Sequence, residues 1–244
     1  MRCKICNGES FIIKHIHPDT GEELADKDDS TGVDTAFPCE CRLEKDKIDI
    51  LKNKLIGASI PMSYWKFTYD GYLQKSILKL DYNIRQKSVE SLDLYKGYLI
   101  DPKSFLDSFR VLWIYGSDDN SGHTTLAVIF IKELLKLSYK VKFIKMNDLL
   151  SIFIDFDKKQ SKLDDLNTAN IYLLDDAFDV TKCITSSAYT KINMYNWLDF
   201  ALSNGKYFIC TSNVSIQDID ETFGHCQNIL SRSAEQLKIL GKLV

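Results

Sequence analysis

The sequence of 244 residues lacks any hydrophobic run long enough to cross a membrane. Its longest apolar stretches, such as residues 111–115, are far shorter than the roughly 20 residues that a membrane span requires. The first residues, MRCKIC, contain no apolar segment of the kind that a secretory signal carries. We therefore expect a soluble, cytoplasmic protein with no membrane partner.

A strong positive charge is also missing, since the formal net charge is −3. Any contact with nucleic acid must therefore come from a local patch rather than from the overall field of the molecule. Internal repeats and low-complexity tracts are absent from the sequence. Hydrophobic residues make up 45% and charged residues 27%, which is the composition of an ordinary globular chain and excludes disorder as the main state.

The seven cysteines are an odd number, which argues against a framework built only from disulfides. Four of them form a C-x-x-C pair, Cys3 and Cys6, and a C-x-C pair, Cys39 and Cys41. Thiolates at these spacings can approach one tetrahedral cation from two sides, as a structural Zn²⁺ requires. The segment between the pairs contains turn signals and little apolar sequence, so we expect a bound metal to supply its order.

Two alternatives to a site of four cysteines stay open at this point. His15 or His17 could replace one thiolate, or the four cysteines could be unrelated reduced residues that bind no metal. The remaining cysteines, Cys183, Cys210 and Cys226, are predicted to be small core residues.

The middle of the chain is predicted to be largely helical. A charged helix with one apolar stripe covers residues 42–59, and a second, longer helix covers residues 74–99. The segment between them is aromatic and rich in turn residues. Asp101 and Pro102 are interpreted as a break before the next part of the chain.

From residue 110 onward, strand-like apolar segments alternate with helical segments. The predicted strands cover residues 110–115, 140–146, 170–174 and 206–211, and the predicted helices cover residues 124–137, 149–156 (capped by Asn147), 189–203 and 226–240. This alternation predicts a three-layer α/β domain with a mostly parallel sheet. We divide the chain into a zinc-binding module with its helix, residues 1–56, and an α/β domain, residues 57–244.

The loop after the first of these strands has the strand–loop–helix context of a P-loop, in which backbone N–H groups and a helix N-terminus hold phosphate oxygens. The candidate nucleotide-binding residues in it are Gly116, Ser121, Gly122, His123, Thr124 and Thr125. Two features depart from the usual motif. Five residues instead of four separate the glycines, and His123 stands in the position of the lysine. Asp118 and Asp119 also place negative charge near the expected phosphates.

Two later strand ends carry polar side chains that suit the same chemistry. Asp175 and Asp176 follow an apolar strand, an arrangement that positions Mg²⁺ and polarises a water molecule in P-loop NTPases. Asn213 follows the next strand and is the candidate for orienting that water beside the γ-phosphate. Arg232 lies in the last predicted helix. The order of these elements along the chain, more than any one of them, predicts a nucleotide-binding protein.

At these residues the chain resembles the DnaC/DnaI-type replicative helicase loaders and the related IstB-like AAA+ ATPases. The matching positions are the cysteine pairs, Ile60-Pro61 with Tyr64 and Phe67, Asp175-Asp176, Ser212-Asn213 and Ser231-Arg232. The resemblance implies an AAA+ P-loop core of three αβα layers after a four-cysteine zinc module and a helical linker. It also implies ATP, Mg²⁺ and Zn²⁺ as cofactors, with Asp175 at the metal and with Asp176, Asn213 and Arg232 in catalytic roles.

The activity implied by this resemblance is ATP-dependent loading of a helicase at the start of DNA replication. Such a protein binds a DnaB-type hexameric helicase through its N-terminal module, helps to place it on single-stranded DNA, and self-associates on ATP or on its partner. In that family an arginine at the position of Arg232 reaches the nucleotide of the neighbouring subunit. Because His123 lacks the point charge of a lysine, we expect slow hydrolysis.

Two other functions remain as alternatives, and the contact with DNA is not located. The chain could be a zinc-bearing adaptor deficient in nucleotide binding, or an IstB-like transposition helper, which usually lacks the N-terminal cysteines. The lysines that follow the P-loop form either a DNA-binding stripe or a solvated surface. They are Lys132, Lys136, Lys140, Lys142 and Lys145.

Overall fold

The computed structural model describes residues 3–7, 9–20, 22–24, 33–76, 82–116, 121–154, 159–178 and 187–239. The chain divides into two compact units, residues 1–53 and 54–244. The division lies within a helix, a few residues before the boundary proposed from the sequence. None of the helices in the described ranges is both long and apolar enough to cross a lipid bilayer.

The first unit contains an antiparallel hairpin followed by a helix. Strands β1 (Phe11–Ile16) and β2 (Val33–Pro38) pair so that Phe11 lies opposite Pro38 and Ile16 opposite Val33. Helix α1 (Glu40–Gly57) follows directly. The negative charge of an acidic residue in its first turn interacts favourably with the helix dipole. The turn signals in the sequence did not predict this hairpin. It forms because β-branched residues in its strands favour the extended conformation.

The second unit is built on a sheet of five parallel strands. These are β3 (Val111–Tyr115), β4 (Val141–Lys145), β5 (Ile171–Asp175), β6 (Tyr207–Ser212) and β7 (Ala234–Lys238). They lie in the order β4-β5-β6-β3-β7, and every neighbouring pair is parallel. The carboxyl ends of β3, β5 and β6 therefore meet at one edge of the sheet, where ligands of open α/β sheets bind.

Helices cover both faces of this sheet. They are α2 (Tyr69–Ser76), α3 (Tyr82–Ile100), α4 (Pro102–Ser108), α5 (His123–Lys136), α6 (Met146–Ile154), α7 (Lys159–Asn167), α8 (Ala188–Ser203) and α9 (Gly224–Ser231). On one face, Trp113 and Phe208 pack with Trp197 of α8 and Phe153 of α6 in an extensive apolar core. On the other face, Phe130 of α5 contacts rings from α3 and α4. The three-layer α/β architecture expected from the sequence is confirmed.

Two predicted elements are wrong. Residues 226–240 do not form one helix, because α9 ends at Ser231 and β7 pairs in parallel with β3. Asn147 does not cap α6, which already begins at Met146. Of the helix predicted over residues 74–99, α3 covers the part from Tyr82 onward and α2 covers residues 74–76, while residues 77–81 lie outside the described residues.

The predicted break at Asp101 is the start of a helix. The Asp101 carboxylate accepts hydrogen bonds from the backbone N–H groups of Lys103 and Ser104, and Pro102 occupies the first turn of α4. Of the three cysteines assigned to the core, Cys210 and Cys226 are buried as predicted. Cys183 lies outside the described residues.

Candidate metal and nucleotide sites

The sulfur atoms of Cys3, Cys6, Cys39 and Cys41 converge in the first unit and lie within 4.8 Å of one another. Those of Cys3 and Cys39 are 3.8 Å apart, and those of Cys6 and Cys41 are 3.4 Å apart. In a tetrahedral site with Zn–S distances of about 2.3 Å, sulfurs are separated by about 3.8 Å. The cluster therefore fits a zinc ion, and no other group of this kind occurs among the described residues.

Backbone hydrogen bonds bring the two cysteine pairs together. The N–H of Cys39, which directly precedes α1, donates to the carbonyl of Ser10 at 2.9 Å. The N–H of Ser10 in turn donates to the sulfur of Cys6 at 3.3 Å. Because Cys41 lies in the first turn of α1, the hairpin and the helix together fix all four sulfurs.

Neither histidine of the spacer joins the cluster. His15 is buried, and its Nδ1 shares a hydrogen bond of 2.9 Å with the Asp34 carboxylate across the hairpin. The Nδ1 of His17 accepts a hydrogen bond from the N–H of Asp19. The alternative in which a histidine replaces one thiolate is therefore wrong.

Close packing of the thiols affects their ionisation. The neighbouring thiol of Cys6 raises the pKa of Cys41 to about 12, and burial adds to this effect. Four thiolates at this spacing repel one another, so their joint ionisation requires a cation between them. The donor set is therefore suited to a cation such as Zn²⁺, which deprotonates the thiols that it binds.

Two glycines stand at the ends of the loop between β3 and α5. A Cβ atom at Gly116 would lie 2.7 Å from the Ile239 carbonyl oxygen and 2.8 Å from Ser121 Oγ, so only glycine fits there. Gly122 precedes α5 with a φ of 84°, in the left-handed region that glycine adopts without strain. The loop is thus tightly held where it leaves the strand and where it enters the helix.

The first turn of α5 provides backbone N–H groups that have no partners within the helix. Together with the helix dipole they form the kind of site that binds phosphate in P-loops. Thr125, on this turn, is buried. Residues 117–120, which include Asp118 and Asp119, lie outside the described residues.

His123 points back toward the loop. Its Nδ1 lies 2.6 Å from Ser121 Oγ, and both side chains are buried. A lysine in this position would extend an ammonium group toward the phosphates, whereas the imidazole shares a hydrogen bond with a neighbouring hydroxyl. The replacement of the usual lysine by His123 therefore changes the hydrogen bonding at this position of the loop as well as the residue type.

A hydrogen-bonded cluster joins three elements at the carboxyl edge of the sheet. The Thr124 hydroxyl of α5 donates to Asp175 Oδ1 at 2.8 Å. The Thr211 hydroxyl of β6 donates to the same oxygen at 2.7 Å. Hydroxyl and carboxylate oxygens are the ligands that Mg²⁺ prefers, so Thr124 and Asp175 form a fitting pair for Mg²⁺.

The sequence alone assigned no role to Thr211. Its side chain nevertheless forms hydrogen bonds with two of the predicted site residues, Asp175 and Asp176. Besides donating to Asp175, its Oγ1 accepts a hydrogen bond from the N–H of Asp176 at 3.2 Å. Asp176 has a φ of 54°, so the chain turns sharply after β5. Asn213 follows β6 at the same edge, which places it on the side of the sheet where Asp175 and Asp176 lie.

The segment before β3 also contributes to the site. The buried Tyr72 hydroxyl donates to the carbonyl of Ser121 at 3.1 Å and so supports the end of the loop. Lys132 of α5 donates to the carbonyls of Trp65 and Phe67 at 2.6 and 2.7 Å, which fixes this segment on the helix. No sequence signal predicts these contacts, because they join residues about fifty or more positions apart.

Tyr64 lies beside the Thr124–Asp175 pair. Burial raises the pKa of the Tyr64 phenol, and the negative charges of Asp175 and Asp176 act in the same direction, while a hydrogen bond with Thr124 opposes them. The sequence interpretation used Tyr64 only as a position matching a family. The structure brings it to the predicted magnesium pair.

Arg232 lies far from this edge. It directly follows α9 and precedes β7, whose first residue, Ala234, pairs with Val111 at the start of β3. Its side chain is exposed at the amino edge of the sheet. Hydrogen bonds thus join Thr124 to Asp175 and Ser121 to His123, whereas Arg232 lies at the other edge of the sheet.

The five lysines after the P-loop do not form one free stripe. Lys132 is buried and bonded to two carbonyls, which removes it from any DNA-binding surface. Lys136 pairs with Glu133, and Lys142 pairs with Asp165.

Comparison with known proteins identifies structural rather than sequence relatives. No protein-family model and no curated protein matches the sequence significantly. The DnaC helicase loader matches with a TM-score of 0.54 at 19% identity, over 73% of this chain and 99% of that one. DnaI matches with a TM-score of 0.50 at 16% identity, over 70% and 91%. AMPPCP-bound DnaA from Aquifex aeolicus matches with a TM-score of 0.55 at 16% identity, over 72% and 50%.

The chain thus spans nearly the full length of the DnaC and DnaI structures but only half of the nucleotide-bound DnaA structures. At identities of 16–19%, such similarity establishes the fold. The resemblance noted from the sequence is confirmed at that level. The second unit has the AAA+ fold, and a cluster of four cysteines precedes it.

Proposed function

We propose that this chain is a nucleotide-binding protein of replication initiation. The observation that carries the proposal is the Thr124–Asp175–Thr211 cluster beside a loop closed by two glycines at the start of α5. The similarity in fold to DnaC, DnaI and AMPPCP-bound DnaA supports the same class of protein. ATP and Mg²⁺ are the cofactors that the residues fit.

Each residue of the site has a role in this proposal. The backbone N–H groups of residues 122–125 bind the phosphates, while Thr124 and Asp175 hold Mg²⁺. Asp176 and Asn213 orient the water that attacks the γ-phosphate. ATP supplies the phosphoanhydride bond, and the chain supplies orientation and charge.

The arrangement of His123 favours slow hydrolysis. A neutral imidazole bonded to Ser121 does not supply the positive charge that a lysine places between the phosphates. Binding energy then comes mainly from backbone N–H groups and from Mg²⁺. We propose a protein that uses ATP binding more than rapid turnover.

The finer proposal is that the chain loads a DnaB-type hexameric helicase onto single-stranded DNA. Support comes from the DnaC helicase loader, which this chain covers almost completely, and from the four-cysteine cluster of the N-terminal unit. In this proposal residues 1–56, the zinc module and its helix, bind the helicase. Residues 57–244 bind ATP and self-associate through Arg232, which reaches the nucleotide of a neighbour.

One observation favours a second function. The buried His123–Ser121 pair is what an adaptor that has lost nucleotide binding would also show. Such a protein would use the AAA+ fold as a scaffold and the zinc module as its binding surface. The transposition-helper alternative gains no support, because the four-cysteine cluster is the feature that such helpers usually lack.

Co-elution with a hexameric replicative helicase from the same genome tests the loader function. We expect the full chain to form a stable complex on size-exclusion chromatography, and Cys39→Ser to lose it. Single-stranded DNA added to the complex should be bound in the presence of ATP and Mg²⁺. A chain that fails to bind the helicase under every nucleotide condition would contradict the loader proposal, and binding that ignores ATP would favour the adaptor.

A further inference from the structure

The two edge strands of the five-stranded sheet, β4 and β7, differ in what covers them. Along β4, the outward N–H group of Phe143 donates a hydrogen bond to the carbonyl of Ala58 at 2.8 Å. Along β7, at the opposite edge, no residue in the described ranges makes such a bond. A strand whose outward N–H and C=O groups are unpaired is a template for the addition of another strand.

The hydrogen bonds between β3 and β7 show which groups of β7 point outward. The N–H of Val111 donates to the carbonyl of Ser233, and the N–H of Ile239 donates to the carbonyl of Tyr115. Because the bonding residues alternate along a parallel strand pair, the odd-numbered residues from 233 to 239 face β3. The even-numbered residues of β7 therefore direct their N–H and C=O groups away from the sheet. They are Ala234, Gln236 and Lys238.

Strand β7 has few of the features that protect an open edge. Proteins commonly protect edge strands with a proline, a bulge or charged side chains. The strand contains no proline and pairs with β3 without a bulge. Among the residues with outward backbone groups, Lys238 is charged and is the last residue of the strand, whereas Gln236 at the centre is neutral and partly exposed. The centre of this edge can therefore accept another strand.

The outward groups of β7 are complementary to themselves. A two-fold axis at Gln236 would place a second β7 antiparallel to the first, with Gln236 opposite its own copy and Ala234 opposite Lys238. Each of these pairs would exchange two hydrogen bonds, so that every outward group finds a partner. On the other face Glu235 would lie opposite Leu237, and no like charges would stand directly opposite each other. Sliding one strand by two residues in either direction would leave outward groups unpaired.

We propose that the free edge of β7 pairs with the same edge of a second copy of this chain and joins two five-stranded sheets across a two-fold axis. Because each copy uses the same edge, the contact consumes both free edges and ends at a dimer. No nucleotide takes part in this contact. The inference therefore goes beyond the proposed function and is separate from self-association on ATP.

Sedimentation of the full chain without nucleotide, over a series of concentrations, tests the proposal. Gln236→Pro removes the outward N–H at the centre of the edge but no hydrogen bond to β3, and edge strands tolerate proline at such positions. Each dimer then loses two hydrogen bonds at the axis, so we expect its dissociation constant to rise about tenfold or more. Gln236→Ala is the matched control. It also loses the side-chain bond to the N–H of Ile216, but it keeps its own N–H and should dimerise nearly as well as the wild type.

A second variant and a second measurement keep the test valid if Gln236→Pro does not fold. Lys238→Pro removes another outward N–H, near the end of β7, and should also weaken the dimer. In the wild type, hydrogen exchange at rising protein concentration should show new protection of the Gln236 and Lys238 amides. The amide of Leu237, which already bonds to β3, should not change.

Three results would overturn the inference. The first is a wild type that stays monomeric at every concentration, including one whose β7 edge is protected only when an extended segment of another protein is added. The second is equal dimerisation of the wild type and both proline variants. The third is a dimer whose new protection lies outside β7. Titration of the same proteins with AMPPCP tests the proposed function separately, because its outcome does not depend on the dimer.

Discussion

The two units of this chain are stabilised by different interactions. The first unit leaves large apolar side chains exposed, with Ile5 64%, Ile13 62% and Val33 53% accessible. The second unit buries Trp113 and Phe130 completely. A segment of about fifty residues buries a smaller fraction of its apolar surface on folding than a large domain does, so its core stabilises it less. The four convergent sulfurs therefore replace the core in the first unit, and a change in one unit should leave the other intact.

The largest expected effect is the loss of the metal. Cys39→Ser removes one of four ligands, and because structural zinc contributes folding free energy directly, the first unit should lose its order. Elemental analysis should find about one zinc per wild-type chain, and hydrogen exchange should show loss of protection confined to residues 1–53. Cys226→Ala, a change in the core of the second unit, is the matched control and should retain zinc. Full zinc retention in both Cys3→Ser and Cys39→Ser would exclude the site.

The converse change breaks the second unit alone. Phe130 is fully buried and contacts the rings of Tyr95 and Phe105. Phe130→Ala should lower the free energy of unfolding of this unit by about 3–5 kcal/mol, since it removes apolar contacts and leaves a cavity. Denaturant titration measures the loss. Zinc content should stay at the wild-type value, and a parallel loss of zinc would show that the units are not independent.

These units and most elements of the second could be predicted from the sequence, because apolar periodicity and cysteine spacing are local. Strand β7 could not. Its residues Ala-Glu-Gln-Leu-Lys favour a helix, and only pairing with β3 and burial of Leu237 make them extended. The start of α4 has a sequence signal for a helix N-terminus, an aspartate before a proline, but this signal was interpreted as a break.

In the candidate nucleotide site, too, positions at strand ends could be predicted from the sequence, whereas contacts that depend on tertiary packing could not. The positions that follow strands, Asp175, Asp176 and Asn213, were predictable because parallel strands end at one edge. Thr211 belongs to the same strand end, yet its hydrogen bonds depend on how β5 and β6 are aligned. Contacts of Lys132 with the segment before β3 depend on tertiary packing that no local pattern encodes.

A smaller effect concerns the hydrogen bonds between Lys132 and the segment before β3 that contains Trp65 and Phe67. Lys132→Met keeps the length of the side chain but removes the charged donor to two carbonyls, so the second unit should lose about 1.5–3 kcal/mol of stability. Lys136→Met, one turn later and exposed, should change stability by less than about 0.5 kcal/mol. Thermal or chemical unfolding distinguishes them. Equal losses would mean that the carbonyl contacts of Lys132 do not stabilise the fold.

The smallest expected effect concerns the loop and leaves both units folded. His123→Lys should strengthen ATP binding about tenfold or more, because an ammonium group gains a charged hydrogen bond to phosphate. Ser121→Ala removes one hydrogen-bond partner of His123 without adding charge and should not strengthen binding. Fluorescent-nucleotide titration measures both. Brisk hydrolysis by the wild type that His123→Lys abolishes would assign His123 a catalytic role of its own.

The most direct test of the account is calorimetric titration of the wild type and of Asp175→Asn with AMPPCP, with and without Mg²⁺. We expect one binding site per wild-type chain, stronger with Mg²⁺, and a loss of that Mg²⁺ dependence in Asp175→Asn, whose amide is a poorer magnesium ligand. Absence of binding by the wild type, or an equal response to Mg²⁺ in both proteins, would contradict it.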